Sequence, residues 1–170
     1  MTLYLRRRLR PNHGWAGSAL VAASFALAPA SALAAPSLPK AYAKTIGVVT
    51  HRIVYQVSSN DPAAMQHSLG TADNVMKFYG NRNEPVTVEI VANGGGVHMM
   101  RADTTPVAPM LAYMRSTYPN FVLTACGTTK TIMEAKEGRP LTFVEGVRVV
   151  PAGIARIVEL QEQGYAYIKP

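Results

Sequence analysis

Cysteine is almost absent. Cys126 is the only one in 170 residues, so no internal disulfide staples this chain. A lone thiol is left with inert packing, a link to another molecule, or working chemistry. Metal ligands are as sparse: beyond the amino-terminal region the histidines are His51, His67 and His98, with no pair at ligand spacing, and no metal centre is expected. Serine acyl transfer lacks its Gly-x-Ser-x-Gly elbow. No dinucleotide fingerprint and no phosphate-loop lysine is present, and no cofactor is called for. No apolar run reaches the roughly 20 residues that span a bilayer.

Acidic residues are also few, ten against seventeen Lys and Arg, for a formal net charge of +7. Four of the arginines, Arg6, Arg7, Arg8 and Arg10, crowd the amino terminus, and +7 less these four leaves +3 for the rest. The working protein is therefore only mildly basic, which gives no argument for a nucleic-acid partner. The arginines precede an apolar run from Trp15 to Leu27 and the small residues Ala32-Leu33-Ala34, the order of a secretory signal peptide. Residues 1–34 are predicted to be that peptide, read by the general secretory route, with a twin-arginine signal conceivable but badly formed. The expected location is periplasmic or secreted, with no stable membrane insertion after cleavage. Removing 34 of 170 residues leaves 136, one domain that buries roughly two thirds of its unfolded surface. Residues 35–51 read as an arm or linker and 52–170 as the domain.

Along the domain, short apolar strands alternate with helical spacing. Ile53 to Val57 reads as a strand, closed by Ser58-Ser59-Asn60-Asp61, where Asn60 or Asp61 can cap a helix that accepts Pro62 in its first turn. In that helix Met65, Leu69, Ala72, Val75 or Met76, and Tyr79 recur every three or four residues. Val86 to Ala92 reads as a second strand, stopped by Asn93-Gly94-Gly95-Gly96. A helix follows over about Pro106 to Tyr118, then a strand from Phe121 to Ala125, a helix from about Thr128 to Glu137, and a strand from Val147 to Val150. Pro151 is expected to open the last helix, Gly164 to end it, and Tyr165 to Ile168 to form a final strand. This alternation predicts an α/β fold, a three-layer α/β/α sandwich with a mostly parallel sheet of about five strands.

In such sheets the loops at the carboxyl ends of the strands gather on one rim, and ligands bind there. Cys126 is the candidate catalytic residue, because a thiol at a strand end facing a helix N-terminus is placed to be held as thiolate. Asn60, Asn93, Gly94, Gly95, Gly96, His98, Gly127, Thr128 and Thr129 are the candidate binding residues of the same rim. The triple glycine reads either as a flexible turn or as backbone amides open to an anion. His98 reads either as a proton donor or acceptor near Cys126 or as a solvated loop histidine.

The segments Val88-Glu89-Ile90-Val91-Ala92-Asn93-Gly94, Thr124-Ala125-Cys126-Gly127-Thr128-Thr129, Val149-Val150-Pro151-Ala152-Gly153 and Leu160-Gln161-Glu162-Gln163-Gly164-Tyr165-Ala166-Tyr167-Ile168 carry a family likeness in their order and spacing. On these residues the chain from Arg52 to Pro170 resembles the DsrE/DsrF family of sulfur-relay proteins, in its exported subgroup. The resemblance implies a compact α/β/α domain, assembly as a homo- or hetero-oligomer, and a cysteine after the third strand that carries sulfur as a persulfide. Cys126 matches that position. A homo-oligomer, a sulfur donor or acceptor protein, and a small sulfur anion such as thiosulfate are the partners it implies. A noncatalytic oligomeric module that binds a small ligand, and a thiol redox sensor, are the alternatives.

Overall fold

The computed structural model describes residues 50–170. The signal peptide expected over 1–34 and all but the end of the arm expected over 35–51 lie outside the described residues. The first strand starts at His51, one residue before the expected start of the domain, because His51 already pairs with Val86.

Five strands, β1 (His51–Val57), β2 (Val86–Ala92), β3 (Phe121–Cys126), β4 (Val147–Val150) and β5 (Ala166–Ile168), form one all-parallel sheet in the order β4-β3-β2-β1-β5. Four α-helices connect them: α1 (Pro62–Gly80), α2 (Ala108–Thr117), α3 (Gly127–Glu137) and α4 (Gly153–Glu162), with a 3-10 helix at Gly94–Met100. The connections from β1 to β4 all step in one direction, and that from β4 to β5 steps back across the sheet. Right-handed crossovers therefore put α1, α2 and α3 on one face and α4 alone on the other. The result is the three-layer α/β/α arrangement.

The helices form where the sequence spacing places them. Asp61, not Asn60, caps α1: its carboxylate accepts from the Ala63 amide at 3.0 Å, and Pro62 takes the first position, where its missing N–H costs nothing. Met65, Leu69, Ala72 and Met76 of α1 pack with Leu111 and Met114 of α2 onto Ile53, Tyr55, Val88, Ile90 and Leu123. The opposite face of the sheet has a smaller core, Val54, Val91, Ile157 and Leu160, with Tyr165 against it. At roughly 1.5–3 kcal/mol per fully buried side chain, these four give α4 a modest apolar hold. Polar contacts supply the rest.

Two elements depart from the sequence reading. The last helix begins at Gly153 rather than Pro151, because the Pro151 carbonyl is taken by the amide and hydroxyl of Thr128, at 3.1 and 3.0 Å. The triple glycine is neither a loop nor a flexible turn; it opens the 3-10 helix, which lies on the end of β1. A Cβ at Gly96 would sit 2.0 Å from the Val57 carbonyl oxygen, and one at Gly95 would sit 2.9 Å from the Asn60 amide nitrogen. Those two glycines are there for close approach of backbone to backbone.

Helix α3 buries none of its residues. It is tied at its start by Thr128 to Pro151 and at its end by Arg101, a guanidinium only 2% exposed that binds both Glu137 oxygens and both Asp103 oxygens. Arg139 adds a second cation to the same two carboxylates.

Candidate functional site

Strand β3 delivers Cys126 to the carboxyl-end rim, on the sheet face that α4 covers, next to Val150 of β4. Cys126 is also the N-cap residue of α3. A side chain at that position faces the amides of the first helical turn, here Thr129 and Thr128, the latter shared with the Pro151 carbonyl. From the other side comes the first residue of α4, Gly153, so close that a Cβ there would lie 3.0 Å from the Cys126 Cβ and 3.3 Å from that of Asn93. Two helix N-termini thus converge on one sulfur.

Their effect on the thiol can be weighed. Burial pushes its pKa up, but the Gly153 amide, the Thr129 hydroxyl and the amides of Thr129 and Thr128 together outweigh burial, and the net result lies below the ordinary thiol value. The sulfur forms no ordinary cap hydrogen bond with α3, so these amides act on it as oriented dipoles at longer range. Cys126 keeps 7% exposure and is a free thiol. The residue as a whole is buried.

The structure brings most of the expected rim residues together. The Gly94 amide donates to the Thr129 hydroxyl at 3.0 Å, linking the 3-10 helix to α3 beside Cys126. Asn93 is fixed by its side-chain oxygen, which accepts from Gln56 Nε2 at 3.0 Å, and by its amide, which donates to the Val57 carbonyl. Gly127 lies against β4, where a Cβ would come 2.9 Å from the Val150 carbonyl oxygen. Asn60 reaches the group only through its backbone beside Gly95. His98 stands apart: it is half-buried in the 3-10 helix, and among the described residues no hydrogen bond joins it to Cys126.

Two of the three amides of the triple glycine are engaged within the protein. The Gly96 amide is spent on the Asn93 carbonyl and that of Gly94 on Thr129, so neither is open to a ligand. Among the described residues no cluster of three His, Cys, Asp or Glu side chains is placed to hold a metal. A cavity of about 410 Å³ lined by His51, Tyr79, Gly164 and Ile168 lies at the opposite, amino-end rim.

The residues the sequence reading passed over are Gly153, Glu89 and Arg156. Glu89 is 2% exposed in the middle of β2, and it accepts from the Thr124 hydroxyl at 2.8 Å and from Arg156 Nε and Nη2 of α4, each at 3.0 Å. The signal available was a carboxylate inside the otherwise apolar run Val88 to Ala92. Such a charge is buried only when paired.

Comparison with curated proteins gives no match. Among solved structures, a protein of unknown function from Methanobacterium thermoautotrophicum is similar, at 26% identity and a TM-score of 0.60, over 71% of this chain and 99% of that one. The model of the DsrE/DsrF-like family matches residues 51–170, the whole of the five-stranded domain, and the chain belongs to that family.

Proposed function

We propose that this protein is an exported sulfur-relay protein that takes up sulfane sulfur on Cys126 and passes it on as a persulfide. The observation that carries the reading is the seat of the sulfur, between the N-termini of α3 and α4, which favours its anionic form. Family membership supports a role in sulfur handling.

With thiosulfate as donor, the Cys126 thiolate attacks the outer sulfur. A bond forms between Sγ and that sulfur, the sulfur–sulfur bond of thiosulfate breaks, and sulfite leaves with the electron pair. The product is Cys126 carrying a terminal persulfide anion. An acceptor thiolate then attacks the outer sulfur, the bond to Sγ breaks, and Cys126 leaves as thiolate. No oxidant is consumed in either step. The amides that favour the thiolate also favour it as leaving group, because both forms place negative charge on Sγ.

The amino-terminal segment supports a periplasmic or secreted location, and the exposed apolar side chains Ile132, Val149, Ile154 and Val158 are compatible with a homo-oligomer. Incubation of the purified protein with thiosulfate or another sulfane donor, followed by mass spectrometry of the Cys126 peptide, tests the reading. One added sulfur is expected. Absence of any adduct with every donor tried removes the relay and leaves a binding module of the same fold.

A further inference from the structure

We propose that the buried Glu89–Arg156 ion pair is a positioning device, which seats α4 against the sheet so that Gly153 faces the Cys126 sulfur. The inference rests on the reading of Cys126 as the reacting atom. Its observations are independent of any donor.

A carboxylate at 2% exposure in the central part of a sheet is an expensive choice, and an apolar pair of the same volume often stabilises a fold as well or better. What an ion pair adds is direction. Arg156 meets Glu89 with two parallel bonds of 3.0 Å, a fork-to-fork geometry that sets both the height and the rotation of the helix bearing it. The four apolar side chains on this face could slide by a fraction of an ångström at little cost; the fork cannot.

The pair sits close to the sulfur along both chains that lead to it. Thr124, the third member of the network, is two residues before Cys126 and on the same face of β3. Arg156 is three residues after Gly153, less than one helical turn. Gly153 then requires an accurate seat, since a Cβ at 153 would lie 3.0 Å from that of Cys126, closer than almost all real contacts, and one side must give by a few tenths of an ångström. The charged groups presented to this face are Arg52 of β1, which donates to the Gln163 carbonyl at the end of α4, Glu89 of β2, Arg148 of β4, and on α4 Arg156 with Glu159, which accepts from Arg156 Nη1 at 3.5 Å. The largest influence on the sulfur is nevertheless burial, opposed first by the Gly153 amide and then by the Thr129 hydroxyl and the amides of Thr129 and Thr128, so the pair acts through the placement of α4.

The test uses the purified chain without any sulfur donor, and reads the apparent pKa of Cys126 from the pH dependence of its alkylation by iodoacetamide. Glu89→Gln and Arg156→Gln are each expected to raise it by about one unit, lowering the thiolate fraction at neutral pH about tenfold. Arg156→Lys, which keeps charge but not the fork, should fall between them and the parent. Gly153→Ala keeps both charged residues and improves helix propensity, but its methyl, 3.0 Å from the Cys126 Cβ, pushes the first turn of α4 away from the sulfur, so it should raise the value even if the charge variants fail to fold. Folded variants, by circular dichroism, that alkylate with the parent profile overturn the proposal. Loss of sulfur loading in the parent protein would instead remove the relay and leave this profile shift untouched.

Discussion

Cys126 and Gly153 stand side by side across the end of the sheet, so close that an added Cβ at 153 would lie 3.0 Å from that of Cys126. The thiol therefore has a fixed electrostatic setting, shared between two helices that are far apart in sequence. Its chemistry and its packing can be separated by substitution.

Cys126→Ser is expected to abolish sulfur loading while costing about 1–3 kcal/mol of stability, the scale for placing a hydroxyl at a buried site. Mass spectrometry after donor treatment and urea denaturation measure the two effects. A loss several times larger, with loading retained elsewhere, would make the thiol a packing residue.

Thr129→Val removes a hydroxyl that both favours the thiolate and accepts from the Gly94 amide. With that support gone the pKa of Cys126 rises, and a larger share of the residue is neutral thiol at any given pH near neutrality. Alkylation at neutral pH should slow severalfold in the variant and approach the parent rate in alkali. Equal rates at both values would show that the amides alone set the thiol.

Gly96→Ala places a methyl 2.0 Å from the Val57 carbonyl oxygen, which is itself held by the Asn93 amide. Backbone must move, and a loss of about 3 kcal/mol or more is expected. Gly70→Ala is the matched control: nothing lies within 4 Å of the new methyl in the middle of α1, and a gain of up to about 1 kcal/mol is expected. Urea midpoints of the two variants should move in opposite directions.

The carboxyls of Asp103 and Glu137 are held below their usual range by hydrogen bonds from the Arg101 guanidinium. A depressed folded-state value means that the ionised form stabilises the fold fully above the unfolded-state pKa near 4, and that this contribution is lost as pH falls through the folded values. The denaturation midpoint of the parent should therefore decline below about pH 4. In Arg101→Met the midpoint starts lower at neutral pH and depends less on acid. A parent curve that is flat over this range would refute the assignment.

Much of the fold is legible in the residues because it is written locally. Met65, Leu69, Ala72 and Met76 lie one helical turn apart and share the buried side of α1, and the mainly apolar runs of β2 and β3, broken only by Thr87, Glu89 and Thr124, announce strands covered on both faces. What escapes is set by partners distant in the chain. The start of α4 is moved from Pro151 to Gly153 by Thr128, 23 residues away, and Glu89 finds Arg156 at a separation of 67. The triple glycine misleads for the same reason: its conformation answers to the Val57 carbonyl, which no spacing rule connects to it. Of the candidate site, the strand-end location of Cys126 can be read from sequence, whereas the contribution of α4 to its surroundings requires the crossover that brings Gly153 back to β3.

Because α3 has no fully buried residue and only half-buried Met133 packs on the core from its middle, much of what docks it lies in polar contacts, at Thr128, Glu134 and Glu137. Elements of that kind open long before a molecule unfolds. Amide hydrogens of Ile132 to Lys136 should exchange with solvent orders of magnitude faster than those of Val88 to Val91, and the breathing of this single helix would set how often a bulky reagent meets the thiol. Access to the sulfur would then be a matter of timing, with small donors admitted at rest and a protein acceptor served only during an opening.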